Sequence, residues 1–273
     1  MACRIERWSR ISDTRSSKET APLITKLKEV THTMKKLLPL LCALGCLAQP
    51  ALAANNINAL GSLGQSQFKD FSEDLGSALS YKPVTPAAPL GIIGFDVGLV
   101  LTKTDMAKSS ALWNTVTSGG GSVSSLYVPK LSIAKGLPFN VDIAGFVSKV
   151  PTTNVSLYGA ELRYAILEGG LALPAVAVRG AFTKLAGVSQ LSLNTKSLDV
   201  SISKGFAMFT PYAGVGQVWT TSTPHAGSLT EESFTKSKIF AGGNLNLGLI
   251  NLAAEFDKTG SAKSISAKMG FRF

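Results

Sequence analysis

Nine ionisable side chains recur at alternate positions within short apolar stretches of this chain. Asp96, Asp142, Glu161, Asp199 and Glu255 are acidic; Arg163, Arg179, Lys268 and Arg272 are basic. Successive side chains of an extended strand point to opposite faces. In Ile93-Gly94-Phe95-Asp96-Val97-Gly98-Leu99 the large apolar residues take one face, and Gly94, Asp96 and Gly98 take the other. A charge withdrawn from water is costly unless it is paired. If the polar faces turn inward, the nine groups form an ion-pair network that fills a core, or they line a narrow polar channel or small-ligand site.

Other chemistry is sparse. His225 lies in the loop Thr223-Pro224-His225-Ala226-Gly227, with Glu231 and Glu232 close behind. A serine hydrolase needs a histidine held by a carboxylate, and a histidine beside proline and glycine in a polar loop is more often exposed and inert. Zinc chemistry lacks His and Cys ligands. No Asp-rich loop has calcium-binding spacing. Ser118-Gly119-Gly120-Gly121-Ser122 has no following Lys-Ser/Thr and is no phosphate cradle. We expect no metal, no cofactor and no enzymatic activity.

The elements that must position the charges begin after an export signal. Met34-Lys35-Lys36 precedes the apolar run Leu37 to Leu47, and Ala51-Leu52-Ala53 follows. That order is a basic region, an apolar region and a small-residue cleavage site, and the run is too short for a spanning helix. The signal therefore covers 34–53, with Ala51 and Ala53 marking the cut. Residues 1–33 are polar and aperiodic, and read as an extension ahead of a true start at Met34. A lipoprotein signal at Cys46 would need a large aliphatic residue where Ala43 stands. Cleavage removes Cys3, Cys42 and Cys46, and with them thiol chemistry and disulfides. Nine of the 27 Lys+Arg and four of the 17 Asp+Glu precede residue 54, leaving 18 against 13, a net +5 rather than +10. These charges are scattered, so nucleic acid is not an expected partner.

Residues 54–90 differ in pattern from the rest of the mature chain. Phe68, Phe71, Leu75 and Leu79 repeat at helical spacing, and Pro83, Pro86 and Pro89 then preclude regular structure. A short amphipathic helix and a proline-rich leader are expected; should the remaining chain close into a barrel, they would act as a plug or a periplasmic cap, pack on its base, or bind another protein.

Beyond residue 90 the chain breaks into alternating segments: 91–104, 125–135, 138–150, 154–167, 171–184, 192–203, 206–220, 235–247, 249–257 and 262–273. Gly136, Gly169-Gly170, Gly205 and Gly248 mark short connections. Segments 105–124 and 221–234 are long polar loops. Only 16% of the chain is charged, too little for the exterior of a soluble sandwich or lipocalin-like barrel. With no second long apolar run, membrane residence requires a closed barrel. Phe139, Phe206, Phe271 and Phe273 near one rim, and Phe182 and Trp219 near the other, suit interfacial girdles.

In the last segment Ile265, Ala267, Met269, Phe271 and Phe273 oppose Ser264, Ser266, Lys268, Gly270 and Arg272. This resembles the C-terminal strand of bacterial outer-membrane barrels, whose final aromatic is part of the signal read by the assembly machinery. The resemblance implies that Met269, Phe271 and Phe273 carry that signal, and that membrane lipid and the barrel-assembly machinery are partners. The reading is an all-β, closed antiparallel transmembrane barrel of about ten strands, preceded by a short helix, in the outer membrane of a Gram-negative bacterium. Its expected role is structural, or a narrow conduit for small solutes or lipid-like molecules. A surface binding or adhesion role through loops 105–124 and 221–234 is the alternative, and a hydrolase using His225 is a weaker third.

Overall fold

The computed structural model describes residues 56–117, 122–151, 153–170 and 172–273. The signal, its cut at Ala51 and Ala53, the three cysteines and the 1–33 extension lie outside the described residues. Ten strands follow one another in antiparallel pairs, and β10 pairs with β1 to close a barrel. They are β1 (Phe95–Asp105), β2 (Ser125–Leu137), β3 (Val141–Lys149), β4 (Ser156–Glu168) and β5 (Ala175–Ala186). Then come β6 (Leu191–Ser203), β7 (Phe209–Pro224), β8 (Glu232–Leu247), β9 (Ile250–Thr259) and β10 (Ala262–Arg272). Closure leaves no strand edge unpaired, as a lipid surround demands.

The two faces of the wall differ as the alternation requires. Leu99, Leu131, Ile143, Leu162, Leu198, Val215, Ile239 and Ile265 are exposed on the outside. Their immediate neighbours in sequence point inward and are buried or small. Phe139, Phe206 and Phe273 are exposed at the rim of short turns, and Trp219 is exposed towards the other rim.

Connections alternate between the two rims, and the two longest, 106–124 and 225–231, share one of them. The short-turn rim carries 138–140, 169–174, 204–208 and 248–249. The long-loop rim carries 106–124, with the short helix α2 (Leu112–Val116), and also 150–155, 187–190, 225–231 and 260–261. The structure corrects two expectations. The segment 221–234 is half strand, because β7 runs to Pro224 and β8 starts at Glu232, leaving a tip of 225–231. Thr220, Thr221 and Thr223 are β-branched and favour extended backbone, but being polar they broke the apolar alternation. Gly136 is not in a turn. It lies within β2, where a Cβ would come 1.9 Å from the Gly91 carbonyl oxygen.

The helix α1 (Gln65–Leu79) lies inside the barrel, against β6, β7, β8 and β10. Gln67 caps it, its side-chain oxygen accepting from the Gly64 amide at 3.0 Å. The amphipathic stripe Phe68, Phe71, Leu75 and Leu79 packs into a cluster with Leu126, Val128, Leu157, Leu185, Leu191 and Leu193 from the wall. Trp113 of α2 closes that cluster, with its ring 5.3 Å from Phe71. The long-loop half of the lumen is therefore apolar along β2–β6, where a polar interior was expected throughout; along β7, β10 and β1 it stays polar, with Ser222, Ser264, Ser266, Thr102 and Thr104 buried there.

Candidate functional site

The site is the other half of the lumen, where charged side chains meet the proline-rich segment 80–94. All nine charges named from the sequence point inward. Asp96 binds Lys268 Nζ at 2.6 Å and Arg272 Nε at 2.8 Å. Asp142 takes Arg163 through Nη2 at 2.6 Å and Nε at 3.0 Å. Glu161 lies 3.1 Å from Arg179 Nε, and both are buried. Asp199 pairs with Lys238 at 3.2 Å. Glu255 has no cationic partner at contact distance among the described residues; it accepts from the Tyr212 hydroxyl at 3.1 Å and from the Val84 amide at 3.0 Å.

Sequence reasoning missed Lys82, Lys130, Lys238 and Asp257. Lys82 is buried and reaches Asp257 at 3.1 Å. Lys130 donates to the Lys82 carbonyl at 3.4 Å and sits 5.3 Å from the centre of the Phe146 ring. Lys238 stood on the polar side of its alternating segment. Its neighbour Phe240, also inward and buried, blurred the pattern. Lys130 and Lys82 left no such signal, because their partners are remote in sequence.

The network does more than balance charge: it satisfies the backbone of a segment that has no sheet partner. Lys238 donates to the Tyr81 carbonyl at 2.8 Å, and Arg163 to the Pro86 carbonyl at 2.5 Å. Ser203 Oγ accepts from the Ala87 amide at 3.1 Å, and Asp142 from the Leu90 amide at 3.1 Å. An unpaired backbone amide in such a place is costly. Pro83, Pro86 and Pro89 have no amide hydrogen, so three such demands never arise. The segment 54–90 is thus no cap on the short-turn rim; its described part threads the lumen from end to end.

At the long-loop end the thread is clamped. Asp74 Oδ2 accepts from the Lys108 amide at 2.7 Å, the Ser109 amide at 2.8 Å and Ser109 Oγ at 3.0 Å. Glu73 takes Lys108 Nζ at 2.6 Å and Lys236 Nζ at 2.9 Å. The hydrogen bond to Glu73 raises the Lys108 ammonium above its ordinary range. Ahead of the helix, the Asn58 and Ala59 amides donate to the Val116 carbonyl, and Leu60 to Gln190. Asn154 both accepts from and donates to the Ile57 backbone, each at 3.1 Å.

His225 lies at the same end. Its Nε2 is 2.9 Å from Ser192 Oγ at an exposed position. Glu231 bonds instead to Thr223, and no carboxylate orients the imidazole among the described residues. Met269 lies on the wall of β10, and Phe271 and Phe273 at its short-turn end; the Phe273 ring stacks 5.8 Å from Phe95. Among the described residues no group of His, Cys, Asp or Glu side chains could hold a metal ion.

A closed ten-stranded barrel, apolar outside and charged within, defines a transmembrane β-barrel of the outer-membrane type. No family model and no curated protein matches the chain. Solved barrels resemble it distantly. OmpT of Vibrio cholerae lacking loop L8 is 12% identical over 55% of this chain and 55% of its own, with TM-score 0.30. Neisserial surface protein A is 12% identical over 66% of this chain and 96% of its own, with TM-score 0.28. Ail, the attachment invasion locus protein of Yersinia pestis, is 12% identical over 66% and 98%, with TM-score 0.24. The chain thus spans about half the length of the first of these, and the class rests on the barrel's own geometry.

Proposed function

We propose that this protein is a non-enzymatic barrel of the Gram-negative outer membrane, whose own N-terminal segment holds the lumen closed to solutes. Short turns then face the periplasm and long loops the outside. One observation carries this reading: the inward charges are engaged with one another and with the backbone of residues 81–90, rather than presented to a passing solute. Conduction requires the thread to leave. Its hold at the outer end is the clamp of Glu73 and Asp74 on Lys108 and Ser109.

Planar-bilayer recording tests this. The intact protein is expected to be silent. An Asp74→Ala/Lys108→Ala variant, which removes the loop's grip on the helix, is expected to show brief openings. Steady conductance by the intact protein would overturn the closed reading.

A second role, binding of an external partner, is supported by the long-loop rim. There the Ile57–Gln65 stretch bonds to loops from four hairpins and joins them into one surface. The contributing loops are 105–124, the tip of 221–234, and the two shorter ones that hold Asn154 and Gln190.

A further inference from the structure

Among the described residues, lysines on the barrel's outer face gather at one rim, with a single exception. Lys103, Lys149, Lys184, Lys196, Lys258 and Lys263 are exposed, and all sit in the long-loop halves of their strands. In the short-turn halves the outward wall has only Lys135 among the described residues. Its ammonium donates to the Ile92 and Gly94 carbonyls and is thereby engaged.

Lys258 and Lys263 stand out within this belt. They are directly opposite across β9 and β10. Residues so placed have Cβ atoms about 5 Å apart, and like charges there destabilise a sheet. Neither lysine makes an ion pair among the described residues, whereas every buried aspartate of the lumen has a partner. Lys103 lies on the next strand, opposite Ile265, and pairs loosely with the exposed Asp105 at 3.6 Å. By continuation of the same register Asp105 faces Lys263, yet its one lysine ion pair among the described residues is with Lys103.

Length sets the hairpin apart from β8. Thr259, the last residue of β9, pairs with Lys238 of β8, and β8 continues to Glu232. Six further residues extend β8 about 20 Å along its own axis past that pair. That hairpin ends in the two-residue turn Gly260-Ser261, with Gly260 at φ 60°, and carries no longer loop of its own. Immediately below, Phe256 pairs with Ile265 and Ile239 neighbours Lys258. These three are 47, 61 and 56% exposed. The wall therefore changes from apolar to doubly cationic within two residues.

We propose that the outward face of the β9–β10 hairpin binds a phosphorylated lipid of the facing leaflet. Lys258 and Lys263 hold the phosphate, Lys103 supplies a third charge, and acyl chains lie on Ile239, Phe256 and Ile265. An anion between two opposed ammonium groups converts their repulsion into charge-assisted hydrogen bonds. The proposal rests on the barrel lying in a membrane.

Native mass spectrometry of the full chain in detergent, folded as judged by heat-modifiable gel migration, tests it. The probes are a bis-phosphorylated acylated glucosamine disaccharide, the same lipid without phosphates, and phosphatidylglycerol. The first is expected to bind, and the dephosphorylated form to bind about tenfold more weakly. Lys258→Gln/Lys263→Gln is expected to lose the same factor while migrating as a folded barrel, since it relieves a like-charge pair. The better of the two phosphorylated lipids identifies the source of the phosphate. Equal binding with and without phosphates, or undiminished binding by the double variant, overturns the proposal. Absence of any heat shift would instead defeat the membrane reading itself.

Discussion

At the scale of single residues, the charges of the lumen act as ligands for a peptide. Asp142 shows the consequence most directly: one carboxylate compensates Arg163, and the same carboxylate accepts from the Leu90 amide. Arg163 in turn spans to the Pro86 carbonyl. Breaking a buried pair from one side leaves an uncompensated charge, which costs about 3–5 kcal/mol. Asp142→Ala is therefore expected to lower the urea midpoint of heat-modifiable unfolding by that equivalent. Removing both partners in Asp142→Ala/Arg163→Met should recover part of the loss, because the orphaned guanidinium goes with its acid. The recovery should be incomplete, since the Leu90 amide and the Pro86 carbonyl still lack partners. A double variant no better than the single would show that the thread, not the ion pair, dominates at this position.

At the scale of elements, α1 is placed by close approach as much as by its apolar stripe. Gly76 faces β7, where a Cβ would meet Thr220 Cγ2 at 2.7 Å. A glycine within a helix costs about 1 kcal/mol against alanine, yet overpacking a tight contact costs about 1–3 kcal/mol. Gly76→Ala is thus expected to destabilise despite its better propensity. Gly76→Ala/Thr220→Ala should restore or exceed wild-type stability, read by the same urea titration. Gly76 also marks how far a sequence discloses packing. Strands were legible because their faces differ so sharply, as at Ile265 against Lys268. The inward direction of Asp96, Asp142 and Glu161 followed from the same alternation. The helix was legible from Phe68, Phe71, Leu75 and Leu79, but a stripe does not name what covers it. Leu191 and Leu193 turned out to be its partners, on a face read as polar from Ser197, Asp199 and Ser201 further along β6. The upper parts of β7 and β8 escaped notice because they stand beyond the apolar belt, where neither face need be apolar.

At the scale of the whole molecule, the described chain crosses from rim to rim eleven times: ten strands form the wall and one thread passes within it. Asn58 starts that thread beside Val116 at the long-loop rim, while Phe273 ends the chain beside Phe95 at the short-turn rim. The two ends of the described chain therefore lie on opposite sides of the barrel. A strand count alone puts the start of β1 and the end of β10 on one side, and conceals this inversion. Its consequence is measurable on intact cells. Ser62 is exposed ahead of α1, and Leu249 is exposed in the turn between β8 and β9. If long loops face outward, Ser62→Cys should react with a membrane-impermeant maleimide on whole cells. Leu249→Cys should react only after the outer membrane is permeabilised. The cysteines before residue 54 do not interfere if the signal is removed. Labelling of Leu249→Cys but not Ser62→Cys would reverse the orientation. Labelling of neither in intact cells, with both reactive after permeabilisation, would place the thread's start on the inner side and contradict a lumen filled from the outer rim.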